Sequence, residues 1–267
     1  VYGIIRLINF AHGDLIMVGG YVAYFCIIGL KMTLAPALVA SMAACAAAGV
    51  IIDRVAYRPL RDKPRLKALI TAMGVSLLVE NGARLLPFIG PSFRRFPDVI
   101  PLQRFSLGRG LAVTNIQVLN VAIAVFLMLV LQYLVRHTVI GMAMRAVSLD
   151  RKAAALMGIS VEGVIMFTFA VGGALAGAAG ILMAVTYPRL SPYMGVVPGL
   201  KAFVAAVLGG IGSVPGAVLG GLLMGVVETV ATSINSQIAE GVFFVLLVVV
   251  LLFRPAGLLG KARMEKV

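Results

Sequence analysis

The chain has 267 residues, 61% of them hydrophobic and 12% charged, with a formal net charge of +13. Apolar runs near 20 residues recur, the length that crosses about 30 Å of hydrocarbon at 1.5 Å per residue. A soluble reading, which would need several fully buried helices, is therefore set aside for an all-α, polytopic helical membrane protein. The basic residues cluster between the apolar runs instead of forming one stripe, which the positive-inside rule explains and which gives no role to nucleic acid.

Candidate spans fall near 11–30, 34–57, 66–86, 112–135, 162–186, 197–211, 215–234 and 238–253. The opening Val1-Tyr-Gly-Ile-Ile-Arg-Leu-Ile8 has no charged n-region, no cleavage-type site and no initiating Met, so a helix is expected upstream of it. Asn9, His12 and Asp14 stand at the start of the first span. An ionised Asp at membrane depth costs on the order of 3 kcal/mol, so these groups face protein or water. Two readings stand: helix-start structure with interhelical hydrogen bonds, or a pathway or gate. Cys26 and Cys45 lie in apolar segments with no CxxC and no His at metal spacing, and read as small hydrophobes with no metal site.

The 53–67 connection carries Arg54, Arg58, Arg61, Lys63, Arg65 and Lys67 against Asp53 and Asp62. Arg136, Arg145, Arg151 and Lys152 mark a second basic connection, and Arg254, Lys261, Arg263 and Lys266 mark the tail. These three regions are expected on one common side, the cytoplasm. Arg94, Arg95, Arg104 and Arg109 then fall in a long external loop over 87–111. Late in the third span, Glu80 and Asn81 precede Arg84, and the spacing of Glu80 and Arg84 suits a helical ion pair.

The block from Gly141 to Ile159 is Ala-rich, charged and set between two spans, which predicts a short helix gripped from outside the membrane; an interfacial helix held by anionic lipid is the alternative. Gly172, Ala176 and Gly180 recur every fourth residue, as do Gly212, Gly216 and Gly220, with Gly221 and Gly225 continuing on a neighbouring face; small residues at this spacing let helices approach closely. Val197-Pro198-Gly199 and Val214-Pro215-Gly216 break the backbone ladder. The 197–211 segment is too short to cross untilted, so it is expected to be a half-helix or re-entrant element, with a non-helical turn over 209–216. Lys201 is placed near the outer face, where it could meet a substrate carboxylate or snorkel; Glu228 could meet an ammonium or pair with Lys201.

Catalysis finds little support, because His12 and His137 are the only histidines and no nucleophile and base stand at a working spacing. Neither a Gly-x-x-x-x-Gly-Lys-Ser/Thr loop nor a GxGxxG after a strand is present, so nucleotide is not expected to bind by either route.

In order along the chain stand Ile8-Asn-Phe-Ala-His-Gly13 with Gly19-Gly20-Tyr21, Asp53-Arg-Val-Ala-Tyr-Arg-Pro-Leu-Arg61, the 141–159 block, the run from Gly199 to Gly216, and Phe253-Arg-Pro-Ala-Gly-Leu-Leu-Gly260. Together they resemble the permease subunit of high-affinity branched-chain amino acid ABC importers, of the LivH type. Two departures are visible: the usual first transmembrane helix is absent, and the cytoplasmic block is a degenerate version of the Glu-Ala-Ala coupling loop of other ABC importers.

The resemblance implies a single permease domain over 1–267 with a cytoplasmic coupling loop at 136–161. It also implies a multi-pass place in the bacterial cytoplasmic (inner) membrane. Gly158 matches the Gly of the coupling loop, and Arg145, Asp150, Arg151 and Lys152 offer charge to an ATPase. Asn9, His12, Asp14, Glu80, Asn81, Lys201 and Glu228 are the candidates for the pathway or gate. The chain itself binds no cofactor; ATP and Mg act through a partner ATPase. The implied partners are a second, LivM-type permease, two cytoplasmic ATPases, an extracytoplasmic substrate-binding protein and membrane lipid. Leucine, isoleucine and valine are the expected substrates. Urea, short amides or nucleosides within the same family, or a self-contained channel or secondary transporter, are the alternatives.

Overall fold

The computed structural model describes residues 3, 9–61, 63–108, 111–254 and 256–260. Residues 1–2 and 4–8, Asp62, Arg109, Pro255 and the tail cations Lys261, Arg263 and Lys266 lie outside the described residues. The helices are α1 (Ala11–Leu30), α2 (Leu34–Ile52), α3 (Arg65–Leu85), α4 (Asn115–His137), α5 (Val139–Leu149), α6 (Arg151–Leu156), α7 (Val161–Thr186), α8 (Val196–Gly209), α9 (Val214–Ile234) and α10 (Ser236–Phe253). Six are long and apolar enough to cross a membrane, α2 counting together with its extension to Leu60. The chain is a multi-pass helical membrane protein, and its elements follow the expected spans closely.

Departures cluster at the ends of spans. The fourth starts at Asn115, not near 112, because β2 (Arg104–Gly108) and β3 (Leu111–Thr114) form a hairpin first. A reciprocal cap between Thr114 and Gln117 then opens α4. Within the same 87–111 stretch, β1 (Arg94–Arg95) pairs antiparallel with β4 (Arg189–Leu190), clamping the α3–α4 connection to the chain that leaves α7. The second span does not stop as a plain helix: a π turn at Asp53–Tyr57 and a 3-10 turn at Arg58–Leu60 carry it onward.

The core is a crossing of α1, α2 and α7 at backbone distance. A Cβ on Gly177 would sit 2.6 Å from the Ser41 carbonyl oxygen, one on Gly173 would sit 2.2 Å from that of Cys45, and one on Gly180 would sit 2.2 Å from that of Ile16. Only hydrogen fits at these points. Ser41 Oγ lies 2.9 Å from the carbonyl oxygens of both Gly19 and Gly177, so one buried hydroxyl bridges all three helices. The contact stripe on α7 is thus Gly173, Gly177 and Gly180: the expected Gly180 is in place and the expected Ala176 is buried, while the closest approaches beside them fall to Gly173 and Gly177, each one residue on from Gly172 and Ala176. The continuation to Gly221 and Gly225 also differs: a Cβ on either would meet nothing within 4 Å.

The chain re-enters the fold after α7. Leu190 packs beside Gly20, and five residues later Gly195 touches Gly13, deeper along α1. α8 therefore starts inside the bundle, which makes it the expected half-helix. At its far end, Gly210 (φ 104°) and Gly212 (φ 91°) adopt left-handed conformations that favour glycine, and the Ser213 hydroxyl caps α9. Pro215 lies in the first turn of α9, where its missing N–H costs nothing. The carbonyls that end α8 find partners in the tail: Leu258 N–H donates to Leu208 (2.8 Å) and Leu259 N–H to Gly209 (3.0 Å). The backbone groups beside the break are thus satisfied by protein, and the turn is non-helical as expected.

Contacts tie the basic connections together at one end. Arg58 pairs with Glu162 at the start of α7 at 2.6 Å, and Val135, Arg145 and Gly212 line one cavity. We refer to this as the basic end.

Candidate functional site

Three groups of candidate residues occupy distinct places. The first lies at the start of α1. Asn9 Oδ1 accepts from the Tyr57 hydroxyl at 2.7 Å. Asp14, 2% exposed, stands against Ser76 and Glu80 of α3, and Glu80 is itself only 8% exposed. Two sequence candidates 66 positions apart are thus brought together between helices, away from lipid. Asp14 Oδ2 and Asn9 Nδ2 have no hydrogen-bond partner among the described residues. The His12 ring, half-buried, is reached by none of the described hydrogen bonds.

The rest of α3 departs from expectation. Arg84 does not pair with Glu80; its guanidinium donates to the Tyr193 hydroxyl at 2.6 Å and to Asn81 Oδ1 at 3.4 Å, and it lies over the Tyr193 ring. Glu80 is drawn inward to α1 while Arg84 stays on the exposed side, so helical spacing alone did not decide the pairing. Asn81 is exposed and its amide returns to the Leu77 carbonyl at 2.8 Å.

The second group is the pair Lys201 and Glu228, joined Nζ to Oε1 at 2.5 Å between α8 and α9. Lys201 Nζ also lies 5.8 Å from the centre of the Phe243 ring on α10.

The third is the 141–159 block. It is two helices, not one, broken at Asp150, whose extended backbone and carboxylate cap α6 through the N–H groups of Lys152 (2.8 Å) and Ala153 (3.1 Å). An Asp followed by a helix-forming run is an N-cap signal that was present in the sequence. Arg145 turns back to the last carbonyls of α4, those of Val135 and Arg136. Gly158 ends α6 at φ 79°, with Leu156 and Met157 beside it 89% and 82% exposed. The outward surface here is apolar at its tip, with Lys152 exposed and Arg151 half-buried behind it. A cavity of about 310 Å³ separates the block from the α8–α9 turn, with Met144, Arg145 and Ser148 on one wall and Ile211, Gly212 and Ser213 on another.

Sequence reasoning missed two features. Asp53 and Arg61, counted as loop charges, form a buried ion pair at 2.6 and 2.7 Å. Ser41, which bridges three helices, carried no signal beyond a lone hydroxyl in an Ala-rich span. Among the described residues no group of three or more His, Cys, Asp or Glu could hold a metal, and Cys26 and Cys45 are unpaired thiols.

Residues 1–251 match the family described as the branched-chain amino acid transport system permease component. The chain is 39% identical over 279 residues to the high-affinity branched-chain amino acid transport system permease protein LivH of Escherichia coli K12, covering all of this chain and 90% of that protein. It is 40% identical over 280 residues to BraD, a permease protein of the same description from Pseudomonas aeruginosa, with the same coverage. The ribose import permease protein RbsC of Escherichia coli K12 is more distant, 26% identical over 82% of this chain and 67% of its own length. No solved structure matches. With the broken-helix bundle in place and the match running through its whole length, the chain belongs to the family of branched-chain amino acid transport permeases.

Proposed function

We propose that the chain is the permease subunit of an ATP-driven importer that carries leucine, isoleucine and valine across the bacterial cytoplasmic membrane. The observation that carries this reading is the 39 to 40% identity with LivH and BraD over the full length of this chain. On this reading the chain forms half of a transmembrane pathway and a LivM-type permease forms the other half. Two cytoplasmic ATPases bind ATP and Mg, and an extracytoplasmic binding protein delivers substrate. The basic end faces the cytoplasm.

The 141–159 block is the handle. Leu156 and Met157 seat in a groove of the ATPase, Lys152 and Arg151 meet its acidic rim, and Asp150 and Arg145 keep the two short helices in shape. Closure of the ATPase pair pushes on this block. The displacement passes across the cavity to the α8–α9 turn and tilts the half-helix α8 against α1, alternating access to the path. Asn9, His12, Asp14 and Glu80 line or gate the inner part of that path, with Asn81 at its exposed margin.

Reconstitution with the partner subunits in proteoliposomes tests the reading. Leucine uptake that requires both ATP and the binding protein is expected, and uptake by this chain alone on a proton or sodium gradient would overturn it. Gly158→Leu, or reversal of charge at Arg151 and Lys152, is expected to abolish substrate-stimulated ATP hydrolysis with membrane insertion intact; unchanged coupling would defeat the handle.

A further inference from the structure

Lys201 lies eight residues before the end of α8, about 12 Å along the axis, and Glu228 lies fourteen residues after the start of α9, about 21 Å along it. From the opposite ends, Lys201 is five residues into α8 and Glu228 six residues, about 9 Å, from the end of α9, so the pair stands about two turns inside the half of α9 away from the basic end. Yet their side chains are 26% and 42% exposed. A half-exposed ion pair at such depth does not face hydrocarbon; it faces water or another polar surface. The same side of α9 is stripped of bulk. Gly221 and Gly225 precede Glu228 by seven and three residues with open space at their Cβ positions, and Thr232 follows one turn on, its hydroxyl already satisfied by the Glu228 carbonyl. The pair is joined through one nitrogen and one oxygen, and among the described residues neither side chain makes any other hydrogen bond. Two ammonium protons and a carboxylate oxygen are thus left for a ligand.

We infer that Lys201 and Glu228 form a zwitterion-exchange site on the transport path. The α-carboxylate of an amino acid takes Lys201 Nζ and its α-ammonium takes Glu228 Oε1, so that the protein's own ion pair opens as two new ones close. The charge count is unchanged, so opening the pair strands no ion. Urea, amides and nucleosides carry neither charge and cannot replace the pair. The inference rests on the reading of the chain as an amino acid permease.

The experiment is ATP-driven leucine uptake by the complete reconstituted complex carrying K201M/E228L. A purely structural ion pair is removed with little loss when both charges go together. An exchange site is not: assembly of the complex, followed by co-purification, is expected to persist while uptake falls at least about tenfold, as loss of charged hydrogen bonds implies. Should this variant fail to assemble, K201E/E228K, which keeps an ion pair of reversed polarity, decides. An assembled complex with uptake reduced about tenfold supports the site, because the substrate's head is turned around. Undiminished uptake in either assembled variant overturns the site alone and leaves the pair as glue between helices or between permease subunits. Absence of leucine uptake by the unsubstituted complex would overturn the transport reading and this site with it.

Discussion

Asp53 and Arg61 show how a charge is kept at the mouth of an apolar bundle. The Arg61 guanidinium reaches both carboxylate oxygens while both side chains are nearly covered, and only the π and 3-10 turns between them allow eight residues to bring the two together. Removing one partner strands the other, so Arg61→Leu is expected to destabilise by about 3 kcal/mol, read as a lower unfolding midpoint in detergent. The double variant D53L/R61L should recover much of that loss. If the single variant proved as stable as the double, the pair would have no structural role. Asp14 is a different case, because its neighbours Ser76 and Glu80 are polar but not cationic. Asn keeps the shape and polarity of the buried acid, whereas Leu leaves Ser76 and Glu80 facing an apolar group. Asp14→Asn is expected to accumulate in the membrane normally, and Asp14→Leu to lose about 1–3 kcal/mol of stability or to fail in uptake. Equal yield and equal uptake for both would place Asp14 outside any working polar cluster.

Among the helices, contact is set by glycine phase more than by side-chain size. Gly177→Ala puts a methyl 2.6 Å from the Ser41 carbonyl oxygen, with backbone on the far side that cannot give way, so a loss of about 2 kcal/mol is expected. Gly74→Ala on α3, where a Cβ meets nothing within 4 Å, is expected to be neutral or to stabilise by about 0.5 kcal/mol through helix propensity. Thermal unfolding of the two variants side by side checks the pair, and a tolerated Gly177→Ala would mean that α2 and α7 are less tightly locked than this. The same helices show what could and could not be read beforehand. Span positions followed from apolar run length, and the turn at 209–216 followed from its glycines and proline. The rotation of α7 did not: a helix apolar on every side has no polar face to fix its phase, so Gly172 and Gly173 were equivalent in the sequence. The contact of Asp14 with Glu80 and the turn of Arg84 toward Tyr193 depend on which helices cross, which one chain's periodicity does not encode. The break at Asp150 was legible, since an Asp directly before the helix-forming run Arg151–Leu156 is an N-cap signal.

On the scale of the molecule, the basic end and the half-helix form one mechanical unit. The block at 141–159, the α8–α9 turn and the tail that caps the α8 carbonyls all meet there, and between block and turn lies the cavity of about 310 Å³. The cavity opens to the outside, with Arg145, Ile211 and Gly212 exposed on its walls, so block and turn are not close-packed against each other there and one has room to move relative to the other. If the turn follows the block during transport, the cavity must change shape in each cycle. Ala217, in the first turns of α9, lines it and is half-buried. Ala217→Phe is expected to fill the space, leaving assembly and thermal stability equal or higher because apolar surface is added to an apolar wall. The same change should stop leucine uptake, and ATP hydrolysis should lose its stimulation by the loaded binding protein. The comparison that matters is between stability and coupling in the one variant: a cavity that is a packing defect would gain stability with transport unaffected, whereas a cavity required for motion gains stability and loses transport together.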